Sequence, residues 1–208
     1  MHSGSGESPL IIDPLEAEPS EPAVRYCPQS LVSQVELCLN EKDMQETVLN
    51  VRRVLLHAIQ RRQGFLPEVI CQPSSEHYLR RPLHIDPLGR FSIFVMTWSE
   101  NQSTLLHDHG GLWVVEALYR GRVKVTDFEY LGETNGIHKF AETETNIAGP
   151  GQSSYRVPPD EHHVLGNAQA AASVSIHVFG GLLEECHTYI PVEGGYLQAP
   201  MKMEPTLS

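Results

Sequence analysis

Thr104-Leu-Leu-His-Asp-His-Gly-Gly-Leu-Trp113 lies near the centre of this 208-residue chain and contains two histidines separated by one residue. Because successive side chains of an extended strand point to opposite faces, His107 and His109 are predicted to face one way and Asp108 the other. Imidazole is a ligand for iron, zinc, copper and nickel. The pattern predicts half of a transition-metal site, although such a pair also arises by chance in a chain with 11 histidines.

Short β-rich segments surround this motif, with glycine- and proline-containing turns between them. The predicted strands cover residues 91–98, 112–118, 122–128, 153–157 and 172–179. Many short strands with frequent turns are typical of an all-β sandwich or barrel, and a small barrel can hold one ligand in its mouth. We therefore predict a mostly β barrel over about residues 76–195.

The N-terminal part of the chain is predicted to be a polar tail followed by helices. Residues 1–26 are rich in Ser, Gly, Glu and Pro, which predicts a mobile tail. Asp43, with Glu46 three residues later, fits a capping box at a helix start. The helix after it carries apolar residues at helical spacing: Val48, Val51, Leu55 and Ile59. We predict one domain over 27–208, with helices in 27–66 packed on the barrel.

Composition limits the partners and the compartment. The net charge of −11 argues against nucleic acid or an anionic membrane as a partner, because no basic surface is available for phosphates. No basic stretch followed by an apolar core begins the chain, and the longest apolar run is too short to span a bilayer. Four cysteines without Cys-x-x-Cys spacing fit a reducing compartment. We expect a cytoplasmic protein, a monomer or weak homo-oligomer, that binds a small molecule.

Later pieces of the chain match a known family pattern. The His-x-His pair, a strand and the turn glycine Gly121 are similar to the first half of the cupin signature, and the stretch 158–167 resembles its second half. More specifically, the chain resembles the thiol dioxygenases of the cupin superfamily, especially bacterial cysteine dioxygenases of the arginine type. The resemblance covers about residues 76–190. It rests on Tyr78-Leu-Arg80, 91–98, His107-Asp-His109, Gly121, His162-His163 with Asn167, Ser175-Ile-His177 and Cys186-His187.

This resemblance implies a double-stranded β-helix that holds ferrous iron with three histidines. Two of the implied ligands are His107 and His109, and the third is one of the neighbours His162 and His163. His163 keeps the family's asparagine four residues later, whereas His162 keeps the family spacing to Ser175-Ile-His177. We favour His163 as the ligand and expect its neighbour to face outward.

The common cupin pattern also places a glutamate a few residues after the His pair. Residues 112–114 of this chain are Leu, Trp and Val, and Glu116 comes too late in the pattern, on the strand face of Val114. We therefore expect a pocket with three neutral imidazoles and no protein anion. A metal held in this way keeps positive charge and open positions for an anionic bidentate ligand such as a thiolate with a neighbouring amine or carboxylate.

Arg80 and Tyr78 are the implied substrate-binding residues. On sequence alone the favoured interpretation of Arg80 is a solvated side chain beside Arg81. In the cysteine-oxidising members, however, an arginine at this place binds the substrate carboxylate, and its planar guanidinium suits two parallel hydrogen bonds. Relatives that prefer 3-mercaptopropionate carry a glutamine there, so Arg80 favours cysteine.

Ser175 and His177 alternate on one strand face and are implied to form a hydrogen-bond relay into the pocket. In the family this relay ends on a tyrosine hydroxyl, but the corresponding residue here is Phe179, and Val114 replaces the cysteine that crosslinks to that tyrosine in mammalian members. Tyr155 is a candidate to supply the missing hydroxyl.

Together these residues predict a non-haem Fe(II) dioxygenase that oxidises L-cysteine with O2 to cysteine sulfinic acid. Tyr78, Ser175 and His177 are its predicted catalytic residues, with Arg80 and Tyr78 binding substrate. Three alternatives remain open: a dioxygenase for 3-mercaptopropionate or mercaptosuccinate, a non-catalytic cupin that binds a small ligand, and a structural zinc site.

Overall fold

The computed structural model describes residues 28–39, 43–61, 65–159, 161–204 and 206. The tail predicted for residues 1–26 lies outside the described residues. The helices are α1 (Pro28–Cys38) and α2 (Met44–Arg61), followed by a short 3-10 helix, Glu68–Cys71. In the described ranges, no helix combines the length and apolar character needed to cross a bilayer.

The start of α2 is fixed by the predicted cap. Oδ1 of Asp43 accepts a hydrogen bond from the backbone N–H of Gln45 at 2.9 Å, immediately before the helix begins at Met44. This bond satisfies one of the N–H groups that a helix start leaves without a partner.

The rest of the described chain is mainly strand. In chain order, β1 to β11 span Leu79–Ile85, Ser92–Trp98, Leu106–His107, Val114–Arg120, Val123–Thr134, Ile137–Ala148, Ser153–Arg156, His163–Asn167, Ser173–Phe179, Glu185–Val192 and Gly195–Lys202. The five predicted strands are present as β2, β4, β5, β7 and β9. The other six strands lie outside these five predicted segments, although β3 and β8 coincide with the extended stretches expected to carry His107 and His163.

The strands form two antiparallel sheets. One sheet has the order β1-β2-β9-β4-β7, and the other closes on itself as β10-β11-β6-β5-β8-β3. Strands that follow one another in the chain often lie in different sheets, as expected for a double-stranded β-helix. The predicted mostly β barrel, a double-stranded β-helix with helices on its N-terminal side, is therefore confirmed.

The five-stranded sheet is buried on both faces, as its central strand β9 shows. Every residue of this strand is buried. Val174, Ile176 and Val178 belong to the apolar core that also contains side chains of α1 and α2. The alternate residues His177 and Phe179 line a cavity on the opposite face. The helices thus cover one face of the sheet, and the other face forms one wall of the candidate site.

Candidate metal centre

Three imidazoles come together beside the paired strands β3 and β8. His107 ends β3 and lies opposite His163, the first residue of β8, while His109 follows two residues after His107. One ring nitrogen from each histidine lies within 4.8 Å of the other two, a group that could hold a metal ion. The Nε2 atoms of His109 and His163 are only 3.2 Å apart.

The protonation of these rings suits metal binding. Burial lowers the pKa of all three imidazoles, and lowers it well below the ordinary value for His109 and His163. Nδ1 of His107 lies 3.0 Å from the carbonyl oxygen of Leu105, which can only accept a hydrogen bond. Nδ1 therefore carries the proton in a neutral ring, and the lone pair of Nε2 remains for a metal. Two buried, neutral imidazole nitrogens at 3.2 Å need a shared proton or cation between them, so the donor set fits a metal.

The expectation that the pocket contains no protein anion is wrong. The carboxylate of Glu116 lines the cavity and is 6% exposed. Its Oε1 lies 3.1 Å from Nδ1 of His177, and its Oε2 lies 3.7 Å from Nδ1 of His163. Arg156 Nη1 and Ser154 Oγ donate to Oε2 at 2.9 and 3.3 Å. Glu116 therefore lies beside the three histidines without belonging to the group whose atoms could share one ion.

Glu116 is ionised despite its burial. Burial alone would raise the pKa of its carboxyl, but the guanidinium of Arg156, 2.9 Å away, and the facing His177 hold that pKa well below the ordinary value. The sequence pattern sets Glu116 aside because it comes too late for the cupin glutamate, and its place beside the histidines depends on its pairing with His177 across β4 and β9.

A second buried carboxylate lies beside another histidine of the group. Oε2 of Glu161 accepts a hydrogen bond from the backbone N–H of His109 at 3.1 Å and lies 3.9 Å from Nδ1 of the same residue. Burial raises the pKa of Glu161 to about 7. Carboxylates near the outer nitrogen of a metal-binding histidine commonly orient the ring, and both Glu116 and Glu161 are placed for that role.

Asp108 faces away from the metal group, as the alternation predicts. Its carboxylate accepts hydrogen bonds from the backbone N–H of His187 at 2.9 Å and from the hydroxyl of Tyr189 at 3.1 Å. It also lies 3.0 Å from Nδ1 of His187. These bonds tie the segment that carries His109 to β10.

The two adjacent histidines occupy different environments. His163 is fully buried in the metal group. The ring of His162 packs instead among aromatic rings, with centroid distances of 5.0 Å to Phe140, 5.4 Å to Tyr189 and 5.9 Å to Tyr130. Neighbouring side chains at a strand end point oppositely, so the structure places His163 with His107 and His109 and places His162 outside that group.

Arg80 lies in the same cavity as the three histidines. The cavity volume is about 250 Å³, and Arg80 is 4% exposed. Its Nη1 donates to the carbonyl of Met203 at 3.1 Å and its Nη2 to that of Leu183 at 3.3 Å. The guanidinium carbon lies 3.5 Å from the ring centre of Phe94. Nε is buried and has no partner among the described residues, so one N–H of a rigidly held guanidinium remains for a ligand.

Tyr78 and Arg81 lie close to Arg80 in the chain but have different surroundings. Tyr78 lines the cavity, and its ring stacks on Trp98 with centroids 4.9 Å apart. Burial raises the pKa of Tyr78, so its hydroxyl stays protonated. Arg81 points elsewhere, donating to the carbonyls of Gln72 at 2.6 Å and Ile70 at 3.4 Å.

The relay around His177 ends on a carboxylate and not on a hydroxyl. Trp98 Nε1 donates to Ser175 Oγ at 3.0 Å, and Ser175 Oγ lies 2.8 Å from Nε2 of His177. Nδ1 of His177 then faces Glu116. Phe179 offers no hydroxyl, and the carboxylate of Glu116 on the neighbouring strand β4 lies at the end of this series of polar contacts.

The two positions at which the chain departs from the family pattern are both apolar. Val114 and Phe179 are buried in one cluster with Phe94. Tyr155 does not supply the missing hydroxyl, since its oxygen accepts a hydrogen bond from Nε2 of Gln45 at 3.1 Å and its side chain packs against the helix-side core.

Cys186 also lines the cavity and is 2% exposed. Burial raises the pKa of its thiol to about 11. The thiol therefore remains protonated near neutral pH and is a poor nucleophile, which agrees with an inert buried cysteine.

No protein-family model matches this chain. Similar solved structures include an RmlC-like cupin protein from Ralstonia eutropha (16% identity, covering 62% of this chain and 69% of that one, TM-score 0.40). Others are a Cupin_2 domain of an XRE family transcriptional regulator from Enterobacter cloacae (14%, 51% and 99%, TM-score 0.39) and an oxalate oxidase in complex with the substrate analogue glycolate (14%, 54% and 54%, TM-score 0.38). These likenesses are distant, and the chemistry of this site rests on its own residues.

Proposed function

We propose that this protein is a non-haem Fe(II) thiol dioxygenase that oxidises L-cysteine with O2 to cysteine sulfinic acid. The main support is the presence of a three-histidine group and a buried arginine in one cavity of about 250 Å³. Three protein ligands would leave positions on a bound ion open for substrate, and the arginine suits a carboxylate. A small thiol that carries a carboxylate a few bonds from sulfur is complementary to both.

His107, His109 and His163 would hold the ferrous ion. When bound, the ion supplies sites for a thiolate and O2 and the redox chemistry that joins them. The overall change is R–SH + O2 → R–SO2H. Sulfur loses four electrons, O2 gains them and both oxygen atoms end on sulfur, so no further reductant is needed.

Arg80 binds the substrate carboxylate in this proposal. Burial lowers its pKa only to about 10, so the guanidinium stays charged near neutral pH. Its contacts with the carbonyls of Met203 and Leu183 and with the ring of Phe94 fix its orientation before substrate arrives. A group held in this way loses little freedom on binding, which favours both affinity and alignment.

The other cavity residues exclude water and competing ligands. Tyr78 contributes a protonated hydroxyl near Arg80, whereas Phe179, Leu183 and Met203 supply apolar walls. Cys186 lies outside the group whose atoms could share one ion, so its thiol does not take the place of the substrate thiolate. Ser175 and His177 are held by Trp98 and Glu116 and stabilise the polar side of the cavity.

Oxygen consumption by the full chain loaded with ferrous iron tests the proposal. With L-cysteine we expect one O2 consumed per thiol, and with isotopically labelled O2 we expect two labelled oxygen atoms in the sulfinic acid by mass spectrometry. The zinc-loaded protein is the control and should be inactive. Uptake with 3-mercaptopropionate or mercaptosuccinate but not cysteine would overturn the substrate assignment. No uptake with any of the three would leave a non-catalytic ligand-binding cupin.

A further inference from the structure

We infer that Glu116 is a positioning residue that fixes which nitrogen of His177 carries the proton and that supports His163 as a metal ligand. The part of this inference that concerns His163 rests on the metal site of the proposed function. The part that concerns His177 depends only on the hydrogen bonds of the protein itself.

The direction of the hydrogen bonds can be followed from both ends of the relay. Trp98 Nε1–H can only donate, so Ser175 Oγ accepts from it at 3.0 Å. At the other end, the buried ion pair with Arg156 at 2.9 Å keeps Glu116 a carboxylate, which can only accept. Nδ1 of His177 lies 3.1 Å from Oε1 and is therefore the nitrogen that carries the proton. In a neutral ring Nε2 then accepts, and the hydroxyl of Ser175 donates to it at 2.8 Å. All bonds of the relay therefore run toward Glu116.

Both carboxylate oxygens of Glu116 are held in place. Oε2 accepts from Arg156 Nη1 at 2.9 Å and from Ser154 Oγ at 3.3 Å, while Oε1 faces His177. Arg156 is itself held from its other side by Asp127. The side chains of Arg156 and Glu116 are only 2% and 7% exposed, so this ion pair is buried. The carboxylate consequently cannot rotate without leaving buried donors unpaired.

The same carboxylate lies behind the ligand His163. Oε2 is 3.7 Å from Nδ1 of His163, which has no hydrogen-bond partner among the described residues. A negative charge near the outer nitrogen of an imidazole makes its other nitrogen a better ligand. Glu116 thus connects the His177 relay with the metal group through one buried charge.

Glu116→Gln is a sharp test because the amide has one accepting atom and one donating atom. Arg156 can only donate to Oε2, so the amide oxygen must face Arg156 and the NH2 group must face His177. Nδ1 of His177 must then accept, and its proton must move to Nε2. We expect this variant to invert the His177 tautomer.

Nuclear magnetic resonance of the full chain, with histidine labelled by the heavy nitrogen isotope, reads the tautomer directly. In the metal-free protein and with Zn²⁺ as a diamagnetic probe, we expect Nδ1–H at His177 in the wild type and Nε2–H in Glu116→Gln. Ser154→Ala is the matched control, because it removes the hydrogen bonds of Ser154 with Glu116 and Arg156 but keeps the carboxylate, and it should retain Nδ1–H. We also expect Zn²⁺ affinity to fall about tenfold in Glu116→Gln and to stay unchanged in the control.

Two results would overturn the inference. One is an Nε2–H tautomer in the wild type, which can be measured even if Glu116→Gln does not fold. The other is an unchanged tautomer in a folded Glu116→Gln. None of these measurements involves iron or oxygen, so a failure of the dioxygenase proposal would not affect them.

Discussion

Arg80 and Arg81 are adjacent residues of β1 whose guanidinium groups have separate partners. Arg80 lines the cavity with an unpaired Nε, whereas Arg81 binds carbonyl oxygens of the segment before β1. We predict that Arg80→Gln raises the KM for cysteine by about 10- to 100-fold, the equivalent of one charge-assisted hydrogen bond. Bound iron should stay near the wild-type level. Steady-state oxygen uptake and metal analysis check both values.

Arg81→Gln is the natural control for this prediction. It changes the same residue type one position along the strand, outside the cavity, and should leave the KM near the wild-type value. An equal loss of iron in Arg80→Gln would show that Arg80 maintains the fold of the site and does not bind substrate.

His162 and His163 provide a second comparison at the residue level. His163 belongs to the metal group, and His162 packs among aromatic rings. We predict that His163→Ala purifies with little or no metal after iron loading and dialysis, because two imidazoles bind too weakly. His162→Ala should retain wild-type metal content by elemental analysis. The reverse result would exchange the assignments.

At the level of elements, ion pairs connect the turn between β1 and β2 to α1. Asp86 accepts hydrogen bonds from Arg90 at 2.8 and 2.9 Å, and Arg90 also reaches Glu36 of α1 at 2.6 Å. The hydrogen bond from the Arg90 side chain leads the causes that lower the pKa of Asp86 below its ordinary value. A carboxyl with a lowered folded-state pKa stabilises the fold above its unfolded pKa, and this contribution is lost as the pH falls.

We therefore predict that Asp86→Asn lowers the free energy of unfolding near neutral pH. The difference from wild type should shrink once the pH falls below about 4, the ordinary pKa of an aspartate. Urea unfolding at several pH values measures the difference. A constant difference across this range would mean that Asp86 acts through the shape of the turn and not through its charge.

At the level of the whole molecule, the two faces of the five-stranded sheet have different roles: one contributes to stability and the other to the site. Its helix-side face belongs to the large apolar core, and its other face lines the cavity. We predict that Leu55→Ala in α2, at a fully buried position, lowers the free energy of unfolding by about 2–5 kcal/mol. Zn²⁺ affinity should remain within about twofold, because distant sites act independently. Gln60→Ala, on the exposed side of α2, should change neither quantity. A matching fall in affinity for Leu55→Ala would show coupling across the sheet.

Two of the strands outside the predicted segments, β6 and β11, share a physical property. In β6 and β11 most residues are exposed or half-buried, and the apolar alternation of a strand with one buried face is weak. The same is true of the outer half of β5, where the prediction ended too early. Pairing with neighbouring strands defines these segments, so their own residues carry little signal.

The sequence by itself determined the features that follow from local geometry. Alternation along an extended chain places His107 with His109 and turns Asp108 away, and helical spacing gives α2 its buried face. Only the tertiary structure decided which distant groups meet. Glu116 reaches His177 and His163 through the register of β4 on β9 and the approach of the two sheets. Such contacts join residues far apart in the chain, so no local pattern encodes them, and the buried anion beside the metal group became visible only in the folded molecule.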